Sequence, residues 1–414
     1  MYYVTATFAL MDYPDIKAHC EATTELSRSV IDDYLIYYAA AREGLEPKME
    51  AQLKKYRKAA RNIPASYINY LKSEYIAHQV FRKSGFITKY LDLPAIRSLP
   101  TAQYEFLAYQ ASHPWRFSFA EIINKPAEAF FTMLDLMTGD SYLLYSPGML
   151  ATENEYHPRS WFLLITFNGQ CWQTFGLIIP FRGFQADDLF FFATELNPGI
   201  TDEGDLMQEV DRNPFPFFLL LAFANIPQIV TRGYPSLIHQ SADILTSFST
   251  VDLAADFSLS WHKDVYRLAS RTHGEFPHYA VAYFQEKKRE LLRTAMTETG
   301  FAHLTGLLAR AGFPMHPEAD LVVSPSMLSA AEKILDKTIL LNPYEKLFLT
   351  NKKEENEEPL NRINHFLALA LPYYNEKTEP DLRELAGESG ISLEMAVELW
   401  EKVMGGLERP GTDS

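Results

Sequence analysis

An Asn-Gly pair, Asn168-Gly169, lies between two runs of apolar, aromatic and β-branched residues, SWFLLITF and QCWQTFGLII. A tight turn between antiparallel strands needs backbone with positive φ, which Asn and Gly adopt at little cost. The pair therefore predicts a β-hairpin with a type I′ turn. The surrounding segment, from Trp115 to Ala193, carries three of the five tryptophans. This stretch is expected to form an aromatic-rich β core.

The pattern of apolar residues predicts an α+β protein with several domains, because helical and strand-like periods occupy separate parts of the chain. The expected divisions are a helical domain with a basic face (1–112), an antiparallel β module that is a small barrel or sandwich (113–200), a helical connection with an α+β module (201–349), a linker (350–360) and a helical bundle (361–414). Within the β module, the run LFFFA at residues 189–193 is expected to add a strand.

The α+β module is expected to have the order strand, strand, helix, strand, helix. Its first two strands are predicted at HYAVAYF and LLRTAMT, with the charged turn from Glu286 to Arg289 between them. The segment before them, from about residue 201 to residue 260, shows helix and loop signals around an apolar run beginning at Phe215. That run is too short to span a membrane, since a spanning helix needs about 20 apolar residues.

Cysteine usage and the first residues indicate the compartment. The 414-residue chain has two cysteines, Cys20 and Cys171, which are too few for a disulfide framework, and its first thirty residues lack a secretory signal pattern. We therefore expect a cytoplasmic protein without a membrane partner.

Charge is unevenly distributed along the chain. The formal net charge is −15, yet the segment 42–97 has 12 Lys and Arg against 5 Asp and Glu. Cations clustered on a predicted helix form a candidate nucleic-acid-binding patch: Lys54, Lys55, Arg57, Lys58 and Arg61. Tyr56, Tyr67, Tyr70, Tyr75 and Tyr90 are nearby candidates for base stacking. The alternative is that the cations are a solvated helix face, or dock on acidic parts of the same chain or of a partner.

The C-terminal segment has a helix-turn-helix-like pattern, in which Pro380 begins one helix, Gly390 ends it and Ser392 begins the next. Its second helix is acidic, so contact with phosphates is disfavoured and a small packing or protein-docking module is preferred. The candidate partner-binding residues on this helix are Glu394, Glu398 and Trp400.

Histidines concentrate in the segment WHKDVYRLASRTHGEFPHYA. Two of them and a carboxylate, His273, Glu275 and His278, form a conceivable metal site, although their spacing matches no standard ligand motif. Surface histidines are the alternative interpretation.

The sequence contains no Gly-x-Gly-x-x-Gly, phosphate-loop lysine, Gly-x-Ser-x-Gly or Cys-x-x-Cys motif. We therefore expect a cytoplasmic, non-enzymatic binding or adaptor protein that acts through protein contacts and holds no cofactor. The first alternative is a nucleic-acid-binding or regulatory protein that uses the basic helices 42–97 and the helix-turn-helix-like tail. The second alternative is an enzyme of unrecognised type with a site near His262, His273 and His278.

Overall fold

The computed structural model describes residues 12–61, 63–156, 158–249, 253–271, 277–313, 315–349, 362–363, 365–367, 369–370, 373 and 379–405. The chain divides into two compact units, Met1–Leu341 and Asn342–Ser414. The α+β class is confirmed, since 17 α-helices within the described ranges accompany a closed five-stranded barrel, a six-stranded sheet and a two-stranded sheet. The linker predicted at residues 350–360 lies outside the described residues.

The first unit begins with helices, as the sequence predicts. They are α1 (Tyr13–Ser27), a π-helix (Arg28–Leu35), α2 (Ile36–Arg42), α3 (Leu45–Lys55), α4 (Arg57–Ala60), α5 (Ala65–Phe81), α6 (Ile87–Tyr90), α7 (Pro94–Arg97) and α8 (Thr101–Ser112). The second half of α5 is buried on all sides from Ile76 to Phe81. This helix therefore runs through the core and is not a surface helix with one apolar stripe.

The aromatic-rich segment forms the closed barrel. Its elements are β1 (Arg116–Ala127), β2 (Phe130–Asp135), β3 (Ser141–Tyr145), α9 (Pro147–Tyr156), β4 (Ser160–Phe167) and β5 (Trp172–Phe181). The strand order is β1, β2, β3, β5, β4, and all neighbours are antiparallel except β3 and β5. Alternate side chains point inward, and Met133, Leu144 and Trp161 are among those that fill the interior.

The Asn-Gly hairpin is confirmed between β4 and β5, but the predicted type I′ turn is wrong. The ladder ends at Phe167 and Trp172, so four residues form the turn, and of these only Gly169 has positive φ, at 97°. The side-chain oxygen of Asn168 accepts the backbone N–H groups of Gln170 and Cys171, both at 2.9 Å. Because Asn caps the turn with its side chain, it does not need the left-handed conformation.

The strand predicted at residues 189–193 is a helix, α10 (Ala186–Leu196). Asp188 accepts the backbone N–H of Gln185 at 3.2 Å, which forms a capping box at the start of this helix. The apolar run was too short for its period to distinguish a strand from a buried helix, and the capping residues decide the outcome. Three helical elements follow α10: α11 (Glu203–Arg212), α12 (Phe215–Phe218) and a 3-10 helix (Leu219–Phe223).

The six-stranded sheet is larger than the sequence predicted. The predicted strands are present as β11 (Ala280–Gln285), β12 (Glu290–Ala295) and β13 (Leu321–Val323), and three more within the segment 238–270 were missed: β8 (Ile238–Ile244), β9 (Phe257–His262) and β10 (Val265–Ser270). The missed strands mix polar and apolar residues, as in IHQSADI of β8 and VYRLAS of β10, so they lack the continuous apolar runs of the others. The small sheet is β6 (Val230–Thr231) with β7 (Tyr234–Pro235), and the helices α13 (Glu298–Arg310) and α14 (Pro325–Leu335) complete this part.

The second unit contains α15 (Glu345–Leu349), α16 (Leu382–Ser389) and α17 (Leu393–Gly405). Asp381 caps α16, Gly390 ends it with φ of 70°, and the Ser392 hydroxyl accepts the Met395 N–H at the start of α17. Phe366, Leu385 and Ala396 belong to its apolar cluster. The predicted three-helix bundle stays a prediction, because part of its first helix lies outside the described residues.

Helices cover the outside of the barrel, among them α1 and α5. The helix α1 packs on the outer face of β2 and β3, and α5 packs across β5. None of the helices in the described part of the chain is long and apolar enough to cross a membrane.

Candidate functional site

A bulge interrupts β5 beneath α5. In the ladder with β4, Phe162 pairs with Ile179 and Leu164 pairs with Phe175, so three residues of β5 lie opposite Leu163 alone. The first of the three, Gly176, has φ of 77°, which residues with a side chain rarely adopt. Bulges bend a strand, and they are often found beside functional sites.

A buried carboxyl group, that of Glu74 on α5, packs against this bulge. Glu74 is 0% exposed, and its Oε2 atom accepts the backbone N–H of Leu177 at 3.1 Å. Its Oε1 atom has no hydrogen-bond partner among the described residues. A Cβ atom at position 176 would lie 3.1 Å from two carbon atoms of Glu74, so the glycine also makes room for this side chain.

Burial changes the protonation of Glu74. Removal from water raises the pKa of this carboxyl well above its usual value of 4.5, and the hydrogen bond from Leu177 opposes the shift only in part. Burial therefore favours the protonated carboxyl more in the folded protein than in the unfolded chain.

Two cavities open beside the bulge of β5, and Gly176 lines both. The first has a volume of about 520 Å³ and is lined by α1, the π-helix, α5, α8 and the barrel. The second, of about 700 Å³, lies between α5, α9, the barrel and the 3-10 helix. Tyr70 and Gly176 line both cavities. We call the two cavities together the α5 cleft.

The first cavity is lined mainly by hydroxyl, amide and aromatic groups. Those groups come from Thr23, Thr24, Ser27, Tyr37, Tyr70, Ser73, Phe106, Gln110, Trp115, Thr166, Gln173, Thr174 and Phe175. The π-helix adds one charge of each sign, Arg28 and Asp32. Burial, and next the neighbouring Asp33, raise the pKa of Asp32. A π-helix is rare and frequently occurs at functional sites.

The second cavity carries no charged side chain among its lining residues. Tyr67 and Pro64 form one wall, and Leu177 and Ile178 of the bulge form another. This half of the α5 cleft therefore suits an uncharged group.

Tyrosine rings are exposed along the α5 cleft. Tyr37 is 71% exposed, Tyr70 is 59% exposed and Tyr67 is 41% exposed. A tyrosine ring offers a large contact area with a polar tip, and such residues are enriched at protein interfaces.

A histidine and an aspartate pair at the other end of α5. The Nε2 atom of His78 lies 2.8 Å from Oδ1 of Asp211, and the amide of Gln79 contacts its Nδ1 atom at 3.4 Å. Burial lowers the pKa of His78, and the Asp211 carboxylate opposes this shift. The pair joins α5 to α11. Because the His78 ring is fully buried and packs against Phe117, the imidazole has no access to solvent.

The predicted basic residues lie on α3, on α4 and just after it. Lys54, Lys55, Arg57, Lys58 and Arg61 are all exposed. The Lys58 ammonium contacts both carboxylate oxygens of Asp336, at 2.6 and 2.9 Å, so one of the five cations docks on an acidic group of the same chain.

The five tyrosines named as candidates for base stacking differ in exposure, and Tyr75 is half-buried against the main apolar core. Tyr56 and Tyr90 are buried, so the expectation that they stack on bases is wrong. Both rings pack in the main apolar core, which is the usual place of tyrosines at helical spacing. Tyr67 and Tyr70 are exposed, but they line the α5 cleft.

The C-terminal candidates lie on α17. Glu394 and Glu398 are exposed, whereas Trp400 is half-buried and packs against the apolar cluster around Phe366. The partner-binding role of these residues stays a prediction.

Of the three metal-site candidates, only His278 lies within the described residues. His273 and Glu275 lie outside the described residues, and the Nδ1 atom of His278 lies 2.9 Å from the Thr297 hydroxyl. Within the described ranges, no three His, Cys, Asp or Glu side chains are placed to hold a metal ion. His262, named with the enzyme alternative, ends the strand β9.

Sequence reasoning missed Glu74 and the α5 cleft. One signal was present, because Leu71, Glu74, His78 and Phe81 follow each other at helical spacing and share the buried side of α5. A glutamate within such a stripe is a buried polar group that needs an explanation. The bulge and the π-helix leave no comparable pattern in the sequence.

Comparisons with known proteins give no relative. No protein-family model matches the chain, no curated protein is similar to it, and no solved structure is similar to it.

Proposed function

We propose that the protein is a non-enzymatic binding protein that takes an extended, mostly uncharged peptide segment of a protein partner into the α5 cleft. The observation that carries this proposal is that two neighbouring cavities share the lining residues Tyr70 and Gly176 and have exposed tyrosine rings along them. Two adjoining cavities suit an elongated ligand, and the balance of hydroxyl, amide and aromatic groups suits a peptide backbone with apolar side chains.

Rigid tyrosine side chains support binding at this place. Tyr37 and Tyr70 each lose only two side-chain torsions on contact, so their rings give contact area at low entropic cost. Truncation of such a central aromatic residue typically costs 2 kcal/mol or more of binding free energy, which corresponds to roughly thirtyfold in affinity.

A display selection tests the proposal, in which a library of random linear peptides is selected for binding to the immobilised full chain. Enriched peptides are then titrated by fluorescence polarisation against the wild type and the double variant Tyr37→Ala/Tyr70→Ala. We expect the double variant to bind at least about tenfold more weakly. The control variant is Tyr234→Ala, which removes a ring that is 43% exposed on β7 and is expected to bind normally.

Two results would contradict this function. One is a selection that enriches no peptide. The other is a selected peptide whose affinity falls in Trp261→Ala, a 64% exposed residue on the edge strand β9, and not in the tyrosine double variant.

The second candidate function is nucleic-acid binding. It rests on the exposure of the five cations on and after α3 and α4, and on the five strands of the barrel, because the oligonucleotide-binding fold is also a five-stranded barrel. In that fold the ligand uses the face of strands 2 and 3, and here α1 covers the face of β2 and β3. The cations are therefore the expected contact.

Salt dependence tests this second candidate. Binding of a single-stranded oligonucleotide is expected to weaken steeply with salt, and Lys54→Glu/Lys55→Glu/Arg57→Glu/Arg61→Glu is expected to abolish it. No binding by the wild type at about 50 mM salt would exclude the candidate.

We separately propose that the exposed part of α17 is a protein-docking surface. Leu393, Met395 and Val397 are 41%, 42% and 36% exposed beside the acidic Glu394 and Glu398. This composition suits a basic, apolar helix of a partner. Pull-down of the wild type and of Met395→Lys/Val397→Lys with a designed basic amphipathic peptide tests it, and equal binding would contradict it.

A further inference from the structure

The two cysteines of the chain meet in the fold. Cys20 lies on α1, and Cys171 lies in the turn between β4 and β5, 151 positions further along the chain. Their Sγ atoms are 3.3 Å apart, and both residues are buried. A disulfide bond is about 2.05 Å long, so the sulfur atoms need to approach by little more than 1 Å.

The turn itself holds the two thiols in place. The Nδ2 atom of Asn168 lies 3.2 Å from Sγ of Cys20 and 3.8 Å from Sγ of Cys171. The same amide is fixed by Gln173, whose Oε1 atom accepts from Nδ2 at 2.8 Å. Gln173 in turn donates to the backbone oxygen of Cys20 at 3.0 Å. The residue that shapes the hairpin turn therefore also aligns α1 with it.

The two thiols are not equivalent. The hydrogen bond from Cys171, and then the one from Asn168, lower the pKa of Cys20, although burial opposes this. The contact with Cys20 and burial raise the pKa of Cys171. Cys20 is thus the thiol that ionises first, and the thiolate is the reactive form of cysteine.

We propose that Cys20 and Cys171 are a redox modification site that forms a reversible intramolecular disulfide with a hydroperoxide as oxidant. The Cys20 thiolate attacks the peroxide oxygen, the O–O bond breaks, and hydroxide leaves and takes up a proton. The Cys171 sulfur then attacks the resulting sulfenic acid, the S–O bond breaks and water leaves. Two thiols are oxidised by two electrons and one hydroperoxide is reduced.

The oxidant reaches these buried sulfurs when α1 opens locally from the barrel. Because α1 packs on the outer face of β2 and β3, in a cluster separate from the barrel interior, it can open without disruption of that interior. The disulfide then links α1 to the β4–β5 turn and holds the helix on the outer face of β2 and β3.

Intact mass and peptide mapping of the full chain test the proposal. After treatment with hydrogen peroxide, the mass is expected to fall by that of two hydrogen atoms, and dithiothreitol is expected to restore it. A non-reduced digest is expected to contain one peptide pair joined through Cys20 and Cys171. The thermal midpoint is expected to rise on oxidation, since a bond across such a long loop restricts the unfolded chain.

The single variants Cys20→Ser and Cys171→Ser serve as controls and are expected to show neither the mass change nor the rise in midpoint. The linked peptide is measured in the wild type, so the test does not depend on the folding of a variant. The proposal is overturned if both thiols stay titratable after peroxide treatment, or if the products are sulfinic acids or disulfide-linked dimers.

Discussion

The helices α1 and α5 both cover the barrel, but they cover it differently. Under α1, the ladder between β2 and β3 is regular, and Phe130, Leu143 and Tyr145 pack with Ile16 into a closed apolar layer. Under α5, the ladder of β5 is interrupted at Gly176, and the helix brings a carboxylic acid into the contact.

The difference shows how a single barrel can have one face that is closely packed and another that leaves cavities. A regular pleat presents alternate side chains at one height, so a helix can pack on it without gaps. A bulge disrupts this surface, and at β5 two cavities remain beside it. The face of β2 and β3 under Ile16 of α1 is thus suited to stability. The α5 side, where the C-terminal residues Thr23, Thr24 and Ser27 of α1 also line the first cavity, is suited to a ligand.

The largest expected effect on the free energy of unfolding comes from Phe→Ala substitutions, one under α1 and one beside α5. Phe130→Ala removes a ring that is 1% exposed beneath α1 and is expected to cost about 3 to 5 kcal/mol of the free energy of unfolding. Phe175→Ala removes a half-buried ring that lines the first cavity and is expected to cost about 1 to 2 kcal/mol. Urea unfolding measures both, and equal losses would contradict the distinction between a closed and an open side.

The bulge is tested with two glycines of similar backbone conformation. Gly176→Ala adds a methyl group 3.1 Å from Glu74 at a position with φ of 77°, so backbone strain and overpacking together are expected to cost about 2 to 4 kcal/mol. Gly139→Ala, at φ of 72° with no atom within 4 Å, carries the strain alone and is expected to cost about 1 to 2 kcal/mol. If the two variants unfold at the same urea concentration, Glu74 does not press on the bulge.

The buried acid predicts a dependence on pH. Its pKa is raised in the folded state, so the folded protein binds a proton that the unfolded chain releases above pH 4.5. The stabilisation is complete below that pH and is lost as pH rises toward the folded pKa, by about 1.4 kcal/mol per pH unit. The side chain of the Glu74→Gln variant does not titrate, so this variant lacks the pH-dependent contribution of Glu74.

Urea unfolding of the wild type and of Glu74→Gln between about pH 5 and pH 7 measures the effect. The stability of the wild type is expected to fall relative to the variant as pH rises. Parallel curves would show that Glu74 ionises normally, in contradiction to its burial.

The smallest expected effect concerns the turn beside α1. Gly169→Val places a β-branched residue at φ of 97°, where its Cβ atom would also lie 3.3 Å from the Tyr109 hydroxyl. We expect a loss of about 1 to 2 kcal/mol or more, seen as a lower thermal midpoint. An unchanged melt would show that the turn relaxes around the new residue.

Local signals in the sequence predicted the regular parts of the fold. The hairpin at Asn168-Gly169, the class of the fold and the helix boundary at Gly390 follow from short-range backbone preferences. The missed strands β8, β9 and β10 are stabilised by neighbours far along the chain, so their own residues carry a weak pattern. Glu74 was missed because its contact with β5 joins residues 103 positions apart.

The position of a bound peptide tests the central claim most directly. A peptide from the selection, carrying a photoreactive side chain, is cross-linked to the full chain, and the modified residues are mapped by mass spectrometry. We expect adducts on Tyr37, Tyr70 and residues 175–178, which line the α5 cleft. Adducts on β9 or on α17 would contradict this position.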